Sequence, residues 1–287
     1  MPASEQIAIA PHLVFDAIAA GTPGAPLVLL LHGFAESMHC WRAQVACLGD
    51  MGYRAIAPSQ RGYSPGARPD PREFSHYLID RLMDDAMAIV AAAGYGSVRF
   101  HLVGHDWGGL VAWWTASRYP ERVAKLAILN APHPSVAGSY IRRHPSQILK
   151  SLYVGFFQVP RLPEAMLSAD NHLSLKDALL RTSRPGTFSE QDIAPYEHAW
   201  SQPGALTAML NWYRALPFKP DMNDPGISPP TLVIWGARDR FLEKGLAEAS
   251  LALCRSGDVV WIDDATHWVQ HEEPERVNAA LVGFLNI

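Results

Sequence analysis

Residues 98–109 read Val98-Arg99-Phe100-His101-Leu102-Val103-Gly104-His105-Asp106-Trp107-Gly108-Gly109. The β-branched and aromatic run ending at Val103 suits a strand, and from Gly108 onward the composition turns helical, so Asp106 stands at the apex of a strand-turn-helix unit. This is the frame of the G-x-S-x-G nucleophile elbow with aspartate in the serine position. A serine attacks carbonyl carbon. A carboxylate instead attacks strained or polarised sp3 carbon and leaves an alkyl-enzyme ester that water must later cleave. Gly104 and Gly108 leave room for such a turn, and the N–H groups opening the helix favour the ionised, attacking form of Asp106. Taken alone, Asp106 also reads as an ordinary helix N-cap; its partners elsewhere in the chain decide against that.

Working outward, residues 27–31 (Leu27-Val28-Leu29-Leu30-Leu31) form a continuous apolar run, the pattern of a strand buried on both faces of a parallel sheet, and they end in His32-Gly33-Phe34. A loop leaving the carboxyl end of such a strand presents backbone N–H groups to a ligand, so the amides of Phe34 and Trp107 are expected to form a two-donor oxyanion hole. Two later strands, over residues 231–235 and 259–262, lead into loops holding Asp239 and His267. Both loops should emerge on the same sheet edge as Asp106. The chain order nucleophile, acid, histidine is that of the α/β-hydrolase fold, with His267 as general base and Asp239 orienting its ring.

Strand and helix patterns alternate along most of the chain, which predicts an α/β class with a mostly parallel central sheet flanked by helices. A strand pair is expected near residues 7–19, and a helix over 75–93 with Ser75 as N-cap and Gly94 as terminator. Residues 135–222 break the alternation. They are rich in proline and aromatic residues and show helical patches without strand pattern, with Pro160, Pro163, Pro185, Pro195 and Pro203 as breakers. The expected organisation is a core of residues 1–134 and 223–287 with an inserted helical cap, or lid, over 135–222.

The 287 residues are 48% hydrophobic and 18% charged, with a net charge of −4, which suits a large buried core and gives no basic footprint for a nucleic-acid partner. Cys40, Cys47 and Cys254 form no C-x-x-C pair, so neither a disulfide framework nor a zinc site is indicated, and no metal or organic cofactor is expected. The first twenty residues lack the basic start of a signal peptide, and no uncharged apolar run reaches membrane-spanning length, so the expected location is cytoplasmic with no membrane span. Monomer and homodimer are both left open.

On His32-Gly33-Phe34-Ala35-Glu36-Ser37, Gln60-Arg61-Gly62-Tyr63, Gly104-His105-Asp106-Trp107-Gly108-Gly109, Asn211-Trp212-Tyr213-Arg214, Trp235-Gly236-Ala237-Arg238-Asp239 and His267-Trp268-Val269-Gln270, nearly the whole chain resembles the α/β-hydrolase-fold epoxide hydrolases. The cap is most similar to the vertebrate membrane-associated epoxide hydrolase 3 and 4 type, in Phe156-Phe157-Gln158-Val159-Pro160 and Ser201-Gln202-Pro203-Gly204-Ala205-Leu206, without the N-terminal membrane anchor of those proteins. The resemblance implies a small hydrophobic epoxide and water as reactants and a vicinal diol as product. It also implies two cap tyrosines hydrogen-bonding the epoxide oxygen. Tyr213 matches one of them, and Tyr153 is the match for the other, with Tyr140 and Tyr196 as alternatives. Substrate-pocket positions are expected at His32, Phe156, Phe157, Trp212 and Trp268. Ala35 stands where the family usually has proline, and because the oxyanion donor is a backbone N–H, the hole is expected to survive. The rival readings are a haloalkane or haloacid dehalogenase using the same Asp106, His267 and Asp239, and a ligand-binding homologue without turnover. Against the dehalogenase, Phe34 offers no side-chain donor to a halide, and Trp107 stands where an arginine would hold a haloacid carboxylate.

Overall fold

The apolar runs assemble into one sheet. The computed structural model describes residues 2–219 and 226–286. Strands β1 (Ala3–Ala10), β2 (Leu13–Ala20), β3 (Leu27–Leu31), β4 (Arg54–Pro58), β5 (Phe100–His105), β6 (Val123–Leu129), β7 (Thr231–Gly236) and β8 (Gly257–Ile262) lie in the order β1-β2-β4-β3-β5-β6-β7-β8. The first two form an antiparallel hairpin that joins β4 antiparallel; every pairing from β4 to β8 is parallel. Every residue of β3, β5 and β7 is buried, which is why these strands do not alternate apolar and polar; β3 is apolar throughout, and β5 buries His101 and His105 among its apolar residues.

The register lines up the carboxyl ends. Leu31 pairs with Gly104, His105 with Leu129, Leu129 with Ile234, and Gly236 with Ile262. The loops after β3, β5, β6, β7 and β8 therefore leave along one edge, where open α/β sheets place their ligands. Helices α1 (Arg42–Asp50), α2 (Ile79–Val90) and α3 (Asp106–Arg118) fill the early crossovers.

All described elements between β6 and β7 are helical: α4 (Pro134–Arg143), α5 (Pro145–Lys150), α6 (Leu152–Phe156), α7 (Leu162–Thr182), α8 (Glu190–Trp200), α9 (Ala205–Ala215) and a short 3-10 turn. The expected cap-to-core boundary at 222/223 lies outside the described residues. Helices α10 (Gly245–Leu251), α11 (Val269–Glu272) and α12 (Pro274–Leu285) complete the chain. The helices flank the sheet, with α1 packed against α12 and α2 against α3. Among the described residues no helix is long and apolar enough to cross a membrane.

Two local expectations differ from the structure. Ser75 is not a helix cap, because residues 74–77 make a separate 3-10 turn and the extended Leu78 precedes α2. Pro195 does not break the chain but sits inside α8. That helix is started by a capping box in which the Ser189 hydroxyl takes the Asp192 amide and the Asp192 carboxylate takes the Ser189 amide. A third feature has no signature that periodicity could reveal: α7 is kinked by Asp170, Asn171 and His172, three successive non-glycine residues with positive φ.

Candidate active site

The elbow is strained where the sequence places its nucleophile. Asp106 has φ of 48°, a left-handed conformation that an L-residue holds only when its surroundings enforce it. The enforcement is close packing of bare backbone. A Cβ on Gly108 would lie 2.1 Å from the Leu31 carbonyl oxygen, and one on Gly33 would lie 2.6 Å from the Asp106 Cβ. With that room left open, the Phe34 N–H donates to Asp106 Oδ1 at 2.9 Å. The Trp107 amide, the other expected donor, makes no bond to this carboxylate, and its indole lies edge-on to the Tyr213 ring with centroids 4.9 Å apart.

On the other side of the carboxylate, His267 Nε2 is 3.5 Å from Asp106 Oδ2, while its Nδ1 is 2.7 Å from Asp239 Oδ2. Asp239 is itself fixed. Its Oδ1 accepts the amides of Phe241 and Leu242 at 2.7 and 3.0 Å, and its Oδ2 also accepts the Asn130 side-chain N–H at 2.7 Å. Asn130 follows β6 with a positive φ of 40° and accepts the Gly236 amide on its side-chain Oδ1, so it bridges the ends of β6 and β7. Its position directly after a buried strand was the available signal for this role.

The charges are mutually supporting. Burial alone would lower the His267 pKa; the Asp239 and Asp106 carboxylates overcome that and push it up to about 10. Burial alone would raise the Asp106 carboxyl, yet His267, His105 and the Phe34 amide hold it below the ordinary carboxylate range. The resting site is thus an ionised Asp106 beside an imidazolium. An ester at Asp106 would remove one of the two anions that hold the proton on His267 and so lower the pKa of the ring.

Two cavities meet at Asp106. One, of about 260 Å³, is lined by Phe34, Tyr153, Phe157, Leu175, Leu179, Tyr213, Phe241, His267 and Trp268. The other, of about 400 Å³, is lined by Trp107, Leu110, Ile141, Ile148, Leu152, Tyr153, Tyr213 and Leu216. Tyr153 and Tyr213 border both, with ring centroids 6.0 Å apart. Burial raises both phenols above their ordinary pKa, with Asp106 adding to the shift, so both keep their protons at neutral pH. Tyr140 donates to Glu243 and stacks on His144, and Tyr196 packs against Trp200; neither lines these cavities.

Three expected pocket residues lie elsewhere. His32 is fully buried, with Nδ1 on the Gly33 carbonyl and Nε2 accepting the Gln60 amide, so it braces the loop beneath Phe34. Trp212 donates its indole N–H to the Arg61 carbonyl at 3.1 Å and faces a separate apolar cavity with Tyr77, Leu82 and Trp114. Phe156 packs behind Phe157 and lines neither of the cavities at Asp106. Phe157 and Trp268 do line the smaller one. Sequence reasoning had not singled out Phe241, whose ring lies 5.1 Å from that of His267, or the leucines of α7.

Residues 26–274 match the family model for the alpha/beta hydrolase fold. The chain is 42% identical over 268 residues to the AB hydrolase superfamily protein YfhM of Bacillus subtilis (strain 168), covering 93% of this chain and 92% of that one. It is 39% identical to epoxide hydrolase 4 of Homo sapiens, over 95% of this chain and 76% of the human one. A solved structure from work on novel epoxide hydrolases in hot-environment metagenomes superposes with a TM-score of 0.87 at 31% identity, covering 100% and 99% of the two chains. The chain belongs to the α/β-hydrolase-fold epoxide hydrolase family.

Ala35, in the position where the family usually carries proline, leaves the Phe34 amide aimed at Asp106. Its carbonyl has another use, accepting the Trp200 indole N–H from α8 at 2.6 Å. Below it lies a buried network that no single motif announces. Glu36 accepts from His105 at 3.0 Å and from His271 at 2.6 Å, and His105 Nε2 reaches the His267 carbonyl at 2.9 Å. Burial opposes ionisation of Glu36, yet these two histidines hold its carboxyl far below the usual range.

Proposed function

We infer that the protein is an epoxide hydrolase acting on a hydrophobic epoxide. The observation that carries this reading is a carboxylate in the elbow position bordering, with the buried phenol of Tyr213 and the partly buried phenol of Tyr153, both protonated, the same apolar cavities. Helices α4–α9 serve as a lid domain supplying those phenols, and the strand-end loops supply the rest. Asp106 Oδ2, left free by the Phe34 bond to Oδ1, attacks one epoxide carbon. The ring C–O bond breaks, its electron pair goes to the oxygen, and Tyr153 or Tyr213 donates the hydrogen bond and proton that an alkoxide requires.

The ester is then cleaved by water. The proton that His267 holds at rest first passes through water to the tyrosinate left by ring opening; the neutral ring, oriented by Asp239, then takes a proton from the attacking water, and the hydroxide adds to the Asp106 carboxyl carbon while the Phe34 N–H stabilises the oxyanion. Collapse breaks the ester C–O bond, and the departing diol oxygen takes the proton of the newly added hydroxyl, which releases a vicinal diol, regenerates the Asp106 carboxylate and leaves His267 protonated as at rest. The sum is epoxide plus water, with no external electron donor or acceptor. The reaction is assigned to the cytoplasm.

The experiment is intact-mass analysis of a His267→Gln variant mixed with an epoxide panel and, separately, with a haloalkane panel. The ester should accumulate as an adduct of the whole epoxide mass on the peptide holding Asp106. Adducts from haloalkanes alone would transfer the site to the dehalogenase reading, and no adduct together with an inactive wild type would leave a binding protein.

A further inference from the structure

We propose that the lid face carrying Ile148, Leu149 and Leu152 docks on an anionic lipid surface. Of the twelve large apolar side chains exposed among the described residues, eight fall between residues 148 and 180, all in the lid. The three named here lie within five consecutive residues, across the end of α5 and the start of α6, and all three are exposed. Leu149 is 71% exposed and Leu152 61%. An apolar cluster of this kind on an exposed helical segment marks an interaction site rather than a core position.

The charge around it selects the partner. Residues 134–163 contain Arg142, Arg143, Lys150 and Arg161 and no acidic residue, against a net −4 for the whole chain. Arg142, Arg143 and Arg161 are exposed and make no ion pair among the described residues. The first acid beyond the segment, Glu164, is occupied by Arg214 at 2.6 and 3.0 Å. From the neighbouring elements Glu243 and Glu248 face Tyr140; Glu243 accepts its hydroxyl at 3.2 Å and is followed directly by Lys244. A second copy of the chain seated here by a two-fold axis would bring the same arginines against each other. A leaflet bearing anionic headgroups complements them while taking up the leucines, which is how interfacial helices bind.

The same face opens into the site. Ile148 and Leu152 are exposed, yet both line the larger cavity that contains Asp106. Its mouth is therefore apolar and lies at the docking face, so a substrate dissolved in the bilayer reaches Asp106 without crossing water. That consequence rests on the epoxide reading; the docking itself does not.

The test is flotation of the full chain with vesicles of phosphatidylcholine, with and without phosphatidylglycerol, at low ionic strength. Wild type should float with the anionic vesicles only and be released by salt. Leu149→Asp should abolish flotation with its thermal unfolding unchanged, and Arg143→Ala should weaken partitioning about fivefold. Wild type remaining unbound, or Leu149→Asp floating like wild type, overturns the proposal. A wild-type dimer in sedimentation that Leu149→Asp splits also overturns it, in favour of a second copy. Flotation by a protein that turns over no epoxide would sink the epoxide reading and leave the docking intact.

Discussion

The strand-end loops and the lid build the same site by different means. Asp106, Phe34, Asp239 and His267 are placed by backbone: the carboxyl ends of adjacent strands are in register, glycines allow carbonyl oxygens and a nucleophile to approach within contact distance, and two amides seize Asp239. Tyr153 and Tyr213 are placed by side-chain packing and by tethers to the core, such as the Asn211 amide on the Pro71 carbonyl and the Trp212 indole on the Arg61 carbonyl. The first kind of placement follows from the topology of the sheet. The second depends on which face a helix turns inward. In the proposed reaction the bond-making groups therefore sit on the sheet edge, and the phenols that hold the epoxide sit on the lid.

That division predicts a graded set of losses. Asp106→Ala removes the bond-forming atom and should lower turnover of any accepted epoxide by about 10⁴-fold or more, with no adduct in mass spectra. Retained turnover would break the assignment of the sheet edge to chemistry. Tyr213→Phe and Tyr153→Phe should each be milder, roughly 10²-fold in kcat, because the remaining phenol still reaches the oxygen, and the double variant should fall much further. Single substitutions as severe as Asp106→Ala would erase the distinction between the two regions.

The smallest effect concerns stability. His267 holds its proton far more tightly in the folded chain, near a pKa of 10, than at its ordinary value of 6.5. Its contribution is therefore complete below about pH 6.5 and is lost as pH rises towards 10. The difference in Tm between wild type and His267→Gln should narrow over that window. A difference independent of pH would mean the imidazolium is not the resting form.

How much of this was legible follows from the same contrast. The elbow and Asp239 could be read because each follows a buried strand, and His267 because its loop follows the partly buried β8; each strand fixes the edge from which its loop departs. The Phe34 donor followed from the same logic. Asn130 lies in the same kind of position but carries no motif, and its part emerges only once β6 and β7 are seen to be neighbours. In the lid, composition shows that Phe156, Phe157 and Trp212 are apolar helix residues, but not which way each helix is rolled. Phe157 points to the cavity while Phe156, its direct neighbour, does not. His32 was misplaced for a related reason: a polar ring beside a nucleophile looks like a ligand-binding group until both its nitrogens are found taken by backbone.

The dipeptide Phe34-Ala35 has one more consequence. Its amide steadies the nucleophile, and its second carbonyl, one residue on, is where the lid helix α8 hangs by Trp200. The latch and the trigger share a part. A displacement of α8 would therefore pull on the loop that aims the Phe34 amide at Asp106.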